Sequence, residues 1–389
     1  MFRIFLVLVL WISASGCMAL QDNEIIVGAE RTSLYLDALK GKNVGLVVNN
    51  TSIAEDEHLV DFLLNQNVDV KKIFAPEHGF RGDVSAGGEV EDGLDKSTGL
   101  PVFSLYGKNK KPTEEHFSGL DAVIFDIQDV GCRFYTYIST MHYVIEACAE
   151  YDIPLIVFDR PNPNGDYVAG PIRKEGFESF VSLDPIPIVH GCTVGELANM
   201  INEEGWHTAG KKCDITVIPV KNYDHKMAYS LPVRPSPNLP NDLSVRLYPS
   251  LCFFEATSVS VGRGTDFPFQ VLGGLNENIG TFEFTPRSIP GVAINPLNKD
   301  KKCYGVDLRT LDESPKFTLK YFLDFYNKYE NEADFLTRER WLNLLAGTDS
   351  MLKQIREGKS EAEIIESWQP ELEEFKQMRK KYLLYPDFE

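Results

Sequence analysis

Short apolar runs and helical periodicities take turns along the first half of the chain. Residues 44–49, VGLVVN, stay apolar until a polar end, and residues 56–66, DEHLVDFLLNQ, then carry apolar positions at helical spacing. The alternation recurs. VKKIFAPEHG closes a strand, PVFSLYG is a short one, LDAVIFDIQD another, YISTMHYVIEACAEY a helix and IPLIVFDRPNPNG a further strand. TVGELANMINEEG places Thr193 and Glu196 at capping-box spacing before a helix that Gly205 can stop, and CDITVIPV adds a last strand. Strands that are apolar throughout and alternate with helices predict an α/β fold: a parallel sheet, covered on both faces, over residues 24–225.

The prolines of LPVRPSPNLPND, residues 231–242, exclude a helix interior or a central strand, and the pattern changes behind them. EATSVSVGRGTDFPFQVLGG reads as strand and loop, while LKYFLDFYNKY and EIIESWQPELEEFKQM read as helices. Residues 226–389 are therefore expected to form a second, smaller α/β domain. A length of 389 residues suits two or three such units.

In an open α/β sheet, ligands bind beyond the carboxyl ends of the strands. Asn49 and Thr51 follow the first strand, and Glu77 and His78 the second. Asp126, Gln128, Asp129 and Arg133 follow the fourth, and Asp159, Arg160, Asn162 and Asn164 the fifth. These residues are expected to meet in one polar cleft. Each has a structural alternative: Asn49 can cap a helix, Asp126 can bond a loop backbone, and Asp159 with Arg160 can be an ion pair. Glu77 and His78 resist that reading, because Pro76 restricts the backbone before them and Gly79 permits a tight turn after them. His190 ends a strand beside Gly191, Tyr135 and Tyr137 offer a stacking platform near Arg133, and Gly262 and Gly264 leave Arg263 on a loop.

Composition narrows the chemistry. A net charge of −18 argues against a nucleic-acid partner. No G-x-G-x-x-G follows the first strand, and neither G-x-x-x-x-G-K-[ST] nor G-x-S-x-G occurs, so nucleotide and serine-hydrolase readings lack their motifs. No metal-binding spacing occurs either, and no cofactor is called for. The start, MFRIFLVLVLWISASGC, reads as a secretory signal over residues 1–17, with an apolar part shorter than the roughly 20 residues of a membrane span. ASGC resembles a lipobox that would acylate Cys17, although Ala14 stands where leucine is commoner and ordinary signal peptidase would also accept it. The expected location is periplasmic or cell-envelope, lipid-anchored if Cys17 is acylated. The six later cysteines fit no compact disulfide framework, and most are expected to be buried singly.

What remains is carboxylate chemistry. Glycoside hydrolysis needs two Asp or Glu side chains across a cleft, one protonated and one ionised. Glu77 suits the acid, with His78 or Arg81 to tune it; the partner is Asp126, Asp129 or Glu255, and spacing does not choose among them.

With FAPEHGFRG, SLYG, FDIQDVGCRFYTYISTM, DRPNPNG, IPIVHGCTVGELA, PSPNLP, LYPS and VGRGTDFPF in order over residues 28–310, the chain resembles the exo-acting β-N-acetylmuramidases of peptidoglycan turnover, once a bacterial domain of unknown function. The resemblance implies a Rossmann-like domain, a smaller carboxyl-terminal domain and an active-site cleft between them. It implies release of N-acetylmuramic acid from the non-reducing end of peptidoglycan chains, with Glu77 of the PEHG motif as the catalytic glutamate. Cys132 replaces a usual alanine. The lactyl carboxylate of muramic acid calls for a cation, and Arg133, Arg160 and Arg263 are the available forks. Asn238 of PSPNLP joins the candidate substrate-binding residues. The alternative is a surface lipoprotein that binds muropeptides or other glycans without cutting them.

Overall fold

The computed structural model describes residues 24–81, 92–311 and 314–389. Cys17 and the rest of the leader lie outside them. Twelve strands are present among the described residues: β1 Asn43–Val48, β2 Ile53–Ala54, β3 Glu57–His58, β4 Asp69–Ala75, β5 Gly93–Leu94, β6 Pro101–Ser104, β7 Ala122–Asp126, β8 Leu155–Phe158, β9 Ile215–Ile218, β10 Val271–Gly274, β11 Phe282–Phe284 and β12 Cys303–Asp307. Seven form one sheet in the order β5-β6-β4-β1-β7-β8-β9, parallel except for the short edge strand β5. A separate three-stranded antiparallel sheet, β10-β12-β11, belongs to the smaller carboxyl-terminal domain.

Side chains alternate across a strand, and the two faces of the large sheet bury different sets. Val47, Phe74, Val123, Phe125, Leu155 and Val157 pack toward the helices Tyr137–Glu150 and Val194–Glu203. Leu46, Val48, Ile73, Ile124, Ile156 and Phe158 pack toward the helix Leu59–Asn65 and the turns around Tyr35. The first set runs without a break into Phe253, Phe254, Phe322, Phe335, Trp368 and Phe375 of the carboxyl-terminal domain. Each fully buried phenylalanine contributes about 1.5–3 kcal/mol, so this shared core holds the two walls of any cleft between them in register.

Local chemistry explains the element ends. The expected capping box is present: the Thr193 hydroxyl accepts from the Glu196 amide and the Glu196 carboxylate from the Thr193 amide, and Gly205 lies at φ 68° just beyond the helix. The helix expected from residue 56 starts instead at Leu59. Glu55 and Asp56 both have positive φ, 50° and 65°, which folds residues 53–58 into a tight hairpin first. Pro249 sits inside the helix Asp242–Leu251 and cannot donate to the carbonyl of Val245. Asn164 Nδ2 supplies that bond at 3.2 Å and another to Val130 at 2.9 Å, so DRPNPNG fastens one domain to the next. The six cysteines of residues 132–303 are free and buried.

Candidate active site

A cleft of about 670 Å³ opens at the carboxyl end of the large sheet, against the second domain. Glu77, His78, Tyr106, Lys110, Tyr135, Thr136, Tyr137 and Phe180 line one side of it, and Tyr248, Glu255, Arg263, Phe269 and Trp341 the other.

Glu77 follows β4 by two residues. His78 and Gly79 both adopt left-handed backbone, φ 73° and 74°, and the Gly79 amide bonds the Pro76 carbonyl at 3.1 Å. For a histidine this conformation costs about 1–3 kcal/mol, a local strain retained where the chain must turn Glu77 into the cleft. Thr136, the residue before the helix Tyr137–Glu150, donates its hydroxyl to Glu77 Oε2 at 3.0 Å. Burial, then the nearby Glu77 carboxylate, push the Tyr106 phenol well above its ordinary value, so Tyr106 stays a neutral donor beside Glu77. Tyr135 donates to the Pro235 carbonyl at 2.7 Å, holding the proline-rich segment against the cleft.

The facing wall presents Glu255, on the 3-10 turn Cys252–Ala256, bonded at 2.6 Å by Arg263 Nη2. Gly262 and Gly264 flank Arg263 at φ 79° and 83°, and its guanidinium lies 5.0 Å from the Phe269 ring centroid. Of the candidate partners for Glu77, Glu255 is the one that lines the cleft.

Other expected site residues stand elsewhere. Asp126 is fully buried in a two-pronged pair with Arg160, Nε to Oδ1 at 2.6 Å and Nη2 to Oδ2 at 2.8 Å. It ends β7 in phase with Ile124, on the sheet face away from the cleft. Arg133 is 1% exposed and donates to the carbonyls of Pro171, Ile186 and Leu345; burial pulls its pKa down to about 9. Both arginines are therefore corrected from substrate forks to fasteners. Asp129 accepts from the Gly131 amide at 2.7 Å and faces His190 at 3.5 Å, with His190 completely buried. Arg81 pairs with Asp95 and Asp61 at the surface. Asn49 accepts from Thr51, Gln128 donates to the Asp129 and Pro161 carbonyls, and Asn162 to that of Cys192. Asn238 donates to the Val292 carbonyl at 3.1 Å beside the cleft-lining Ser236 and Leu239. None of these eight side chains (Arg81, Asp129, His190, Asn49, Gln128, Asn162, Asn238 and Asp126) is part of the cleft lining.

Sequence reasoning missed Thr136, Tyr106, Lys110, Phe180, Tyr248 and Trp341. SLYG closes the strand expected at PVFSLYG, and that strand end is the signal that could have marked Tyr106. Lys110, inside GKNKKP, has the look of a solvated charge run, and Phe180 and Trp341 lie far from any strand end.

Fold and cleft together define a Rossmann-like protein whose two domains face each other with carboxylates, a hydroxyl-rich wall and aromatic rings, a surface suited to carbohydrate. The chain matches the amino-terminal model of the exo-β-N-acetylmuramidase NamZ family over residues 44–243 and the carboxyl-terminal model over residues 246–385. It is 40% identical over 376 residues to the peptidoglycan β-N-acetylmuramidase NamZ of Bacillus subtilis strain 168, covering 90% of this chain and 89% of that one. Two crystal structures of DUF1343 family proteins from Bacteroides fragilis NCTC 9343 are also similar. One has a TM-score of 0.86 at 47% identity, over 94% of this chain and 99% of that one; the other has 0.81 at 30%, over 93% and 99%. The chain belongs to the exo-β-N-acetylmuramidase family.

Proposed function

We propose that this protein is an exo-acting glycoside hydrolase that releases N-acetylmuramic acid from the non-reducing end of peptidoglycan fragments. The observation that carries the reading is the pair Glu77 and Glu255, carboxylates from two domains lining one cleft, and family membership supports it. Glu77 gives its proton to the departing glycosidic oxygen, with Thr136 and Tyr106 fixing its carboxyl. Glu255, oriented by Arg263, faces the anomeric carbon as the second carboxylate. Tyr135, Tyr248, Phe269 and Trp341 supply apolar faces for the sugar.

Release of nitrophenol from 4-nitrophenyl β-N-acetylmuramide tests the reading. Turnover by the wild type, lost in Glu77→Gln at unchanged melting temperature, supports it; wild-type protein that binds the glycoside without cleaving it overturns it.

The leader supports export across the inner membrane and acylation at Cys17, which would hold the enzyme at the cell envelope. No helix among the described residues is long and apolar enough to cross a membrane. Mass spectrometry of the mature amino terminus checks the anchor: a diacylglyceryl mass on Cys17 supports it, and an unmodified terminus beginning after residue 19 sinks it.

A further inference from the structure

N-acetylmuramic acid differs from N-acetylglucosamine by a lactyl ether that ends in a carboxylate. A site that prefers the first sugar to the second needs a cation for that group. Two Lys or Arg side chains line the cleft among the described residues, Arg263 and Lys110. Arg263 is committed to Glu255 at 2.6 Å.

Lys110 is not so committed. No carboxylate among the described residues lies within ion-pair distance of its Nζ, whereas its neighbour Lys111 is held at 2.6 Å by both Glu146 and Glu150. The half-buried Lys110 ammonium instead lies 4.6 Å from the centroid of the Phe180 ring. Phe180 in turn packs against Tyr106 at 6.1 Å, and Tyr106 adjoins Glu77. One ring therefore separates an ammonium with no ion-pair partner among the described residues from the tyrosine that touches the acid, on the same side of the cleft. In a protein of net charge −18, such a cation stands out as the place where an anion is drawn in.

We propose that Lys110, backed by Phe180, is the residue that reads the lactyl carboxylate of the terminal muramic acid. The inference rests on the hydrolytic reading above and sharpens it: the selected substrate carries a free lactyl carboxylate, and a lactyl group blocked as an amide loses this contact. Lys110 is a specificity residue and takes no part in bond breaking.

The test compares 4-nitrophenyl β-N-acetylmuramide with its lactyl methylamide, for the wild type, Lys110→Met and Lys110→Arg. One charge-assisted hydrogen bond predicts a wild-type preference for the acid of about 10- to 100-fold in kcat/KM, expressed mainly in KM. Lys110→Met should shrink the preference to within about threefold and Lys110→Arg should keep most of it. A Lys110→Met enzyme with the wild-type preference overturns the proposal.

Calorimetric binding of free N-acetylmuramic acid separates this proposal from the hydrolytic one. If the wild type cleaves neither glycoside yet binds the free sugar, and Lys110→Met binds it at least tenfold more weakly, hydrolysis falls and the Lys110 contact stands. Equal binding by both proteins overturns the contact whatever the turnover, and a wild type that neither binds nor cleaves overturns both.

Discussion

Glu77 and Asp126 both stand at the carboxyl end of the same sheet, close to an arginine or a hydroxyl, and their surroundings are opposite. Glu77 is half-buried and faces a cavity, with Thr136 bonded to one oxygen. Asp126 is wholly buried, and Arg160 grips both of its oxygens. Its neighbour Asp159 accepts from the Arg160 and Gly195 amides, the Thr193 hydroxyl and the Tyr385 phenol, at 2.5–3.0 Å. Those bonds tie the carboxyl-terminal tail to the sheet. Residue type and strand end are shared, so neither separates a cleft-facing carboxylate from a fastening one. What separates them is whether protein or open volume fills the space in front of the oxygens.

The largest expected effect is at Glu77. Glu77→Gln should lower kcat on the nitrophenyl muramide about 10²- to 10⁴-fold, the range of a positioned acid, with little change in melting temperature. Next comes Arg160→Met, which strands the Asp126 carboxylate in the interior. Urea titration should show a loss of about 3–5 kcal/mol, while the molecules still folded keep their kcat. Turnover abolished at wild-type stability would instead place Arg160 in the chemistry and end the distinction drawn here. Tyr385→Phe removes the phenol's hydrogen bond to the Asp159 carboxylate and the acceptor of the Val220 amide, a loss of at least about 1.5–3 kcal/mol by the same titration.

The subtlest effect to read is a slope against pH. Burial raises the Asp159 pKa from 3.8 to about 6, against hydrogen bonds from Tyr385, Gly195 and Thr193 that lower it. The native state therefore holds a proton that the unfolded chain releases. This contribution to stability is full below the unfolded value of 3.8 and is lost as pH rises through about 6. Urea midpoints measured between those limits should fall with pH in the wild type and flatten in Asp159→Asn; parallel curves would assign the slope to other groups.

Glu77 was legible in advance because the signal was local: a strand end, a proline before it and a glycine that permits the turn. The capping box at Thr193 and six of the nine strands of the first domain were legible for the same reason. Arg133 was not, because its partners, the carbonyls of Pro171, Ile186 and Leu345, lie 38, 53 and 212 residues away. Trp341 and Phe180 reach the cleft from a helix and a loop with no strand end to mark them. Asp126 was partly legible. Counting alternate residues along β7 puts it in phase with Ile124, but only the packed sheet shows which face adjoins the cleft.

By itself, then, the sequence determined the parallel sheet, the position of Glu77 at its carboxyl edge and the resemblance to a family, since each depends on periodicity or on residues close along the chain. Only the packing of the two domains decided which charges line the cleft. Glu255 and Arg263 reach Glu77's cleft because an apolar core continuous from Phe125 to Phe375 presses the second domain against the first. That same packing closes over Asp126, Arg160 and Arg133, and a buried charge must take its partner from the protein instead of from a ligand.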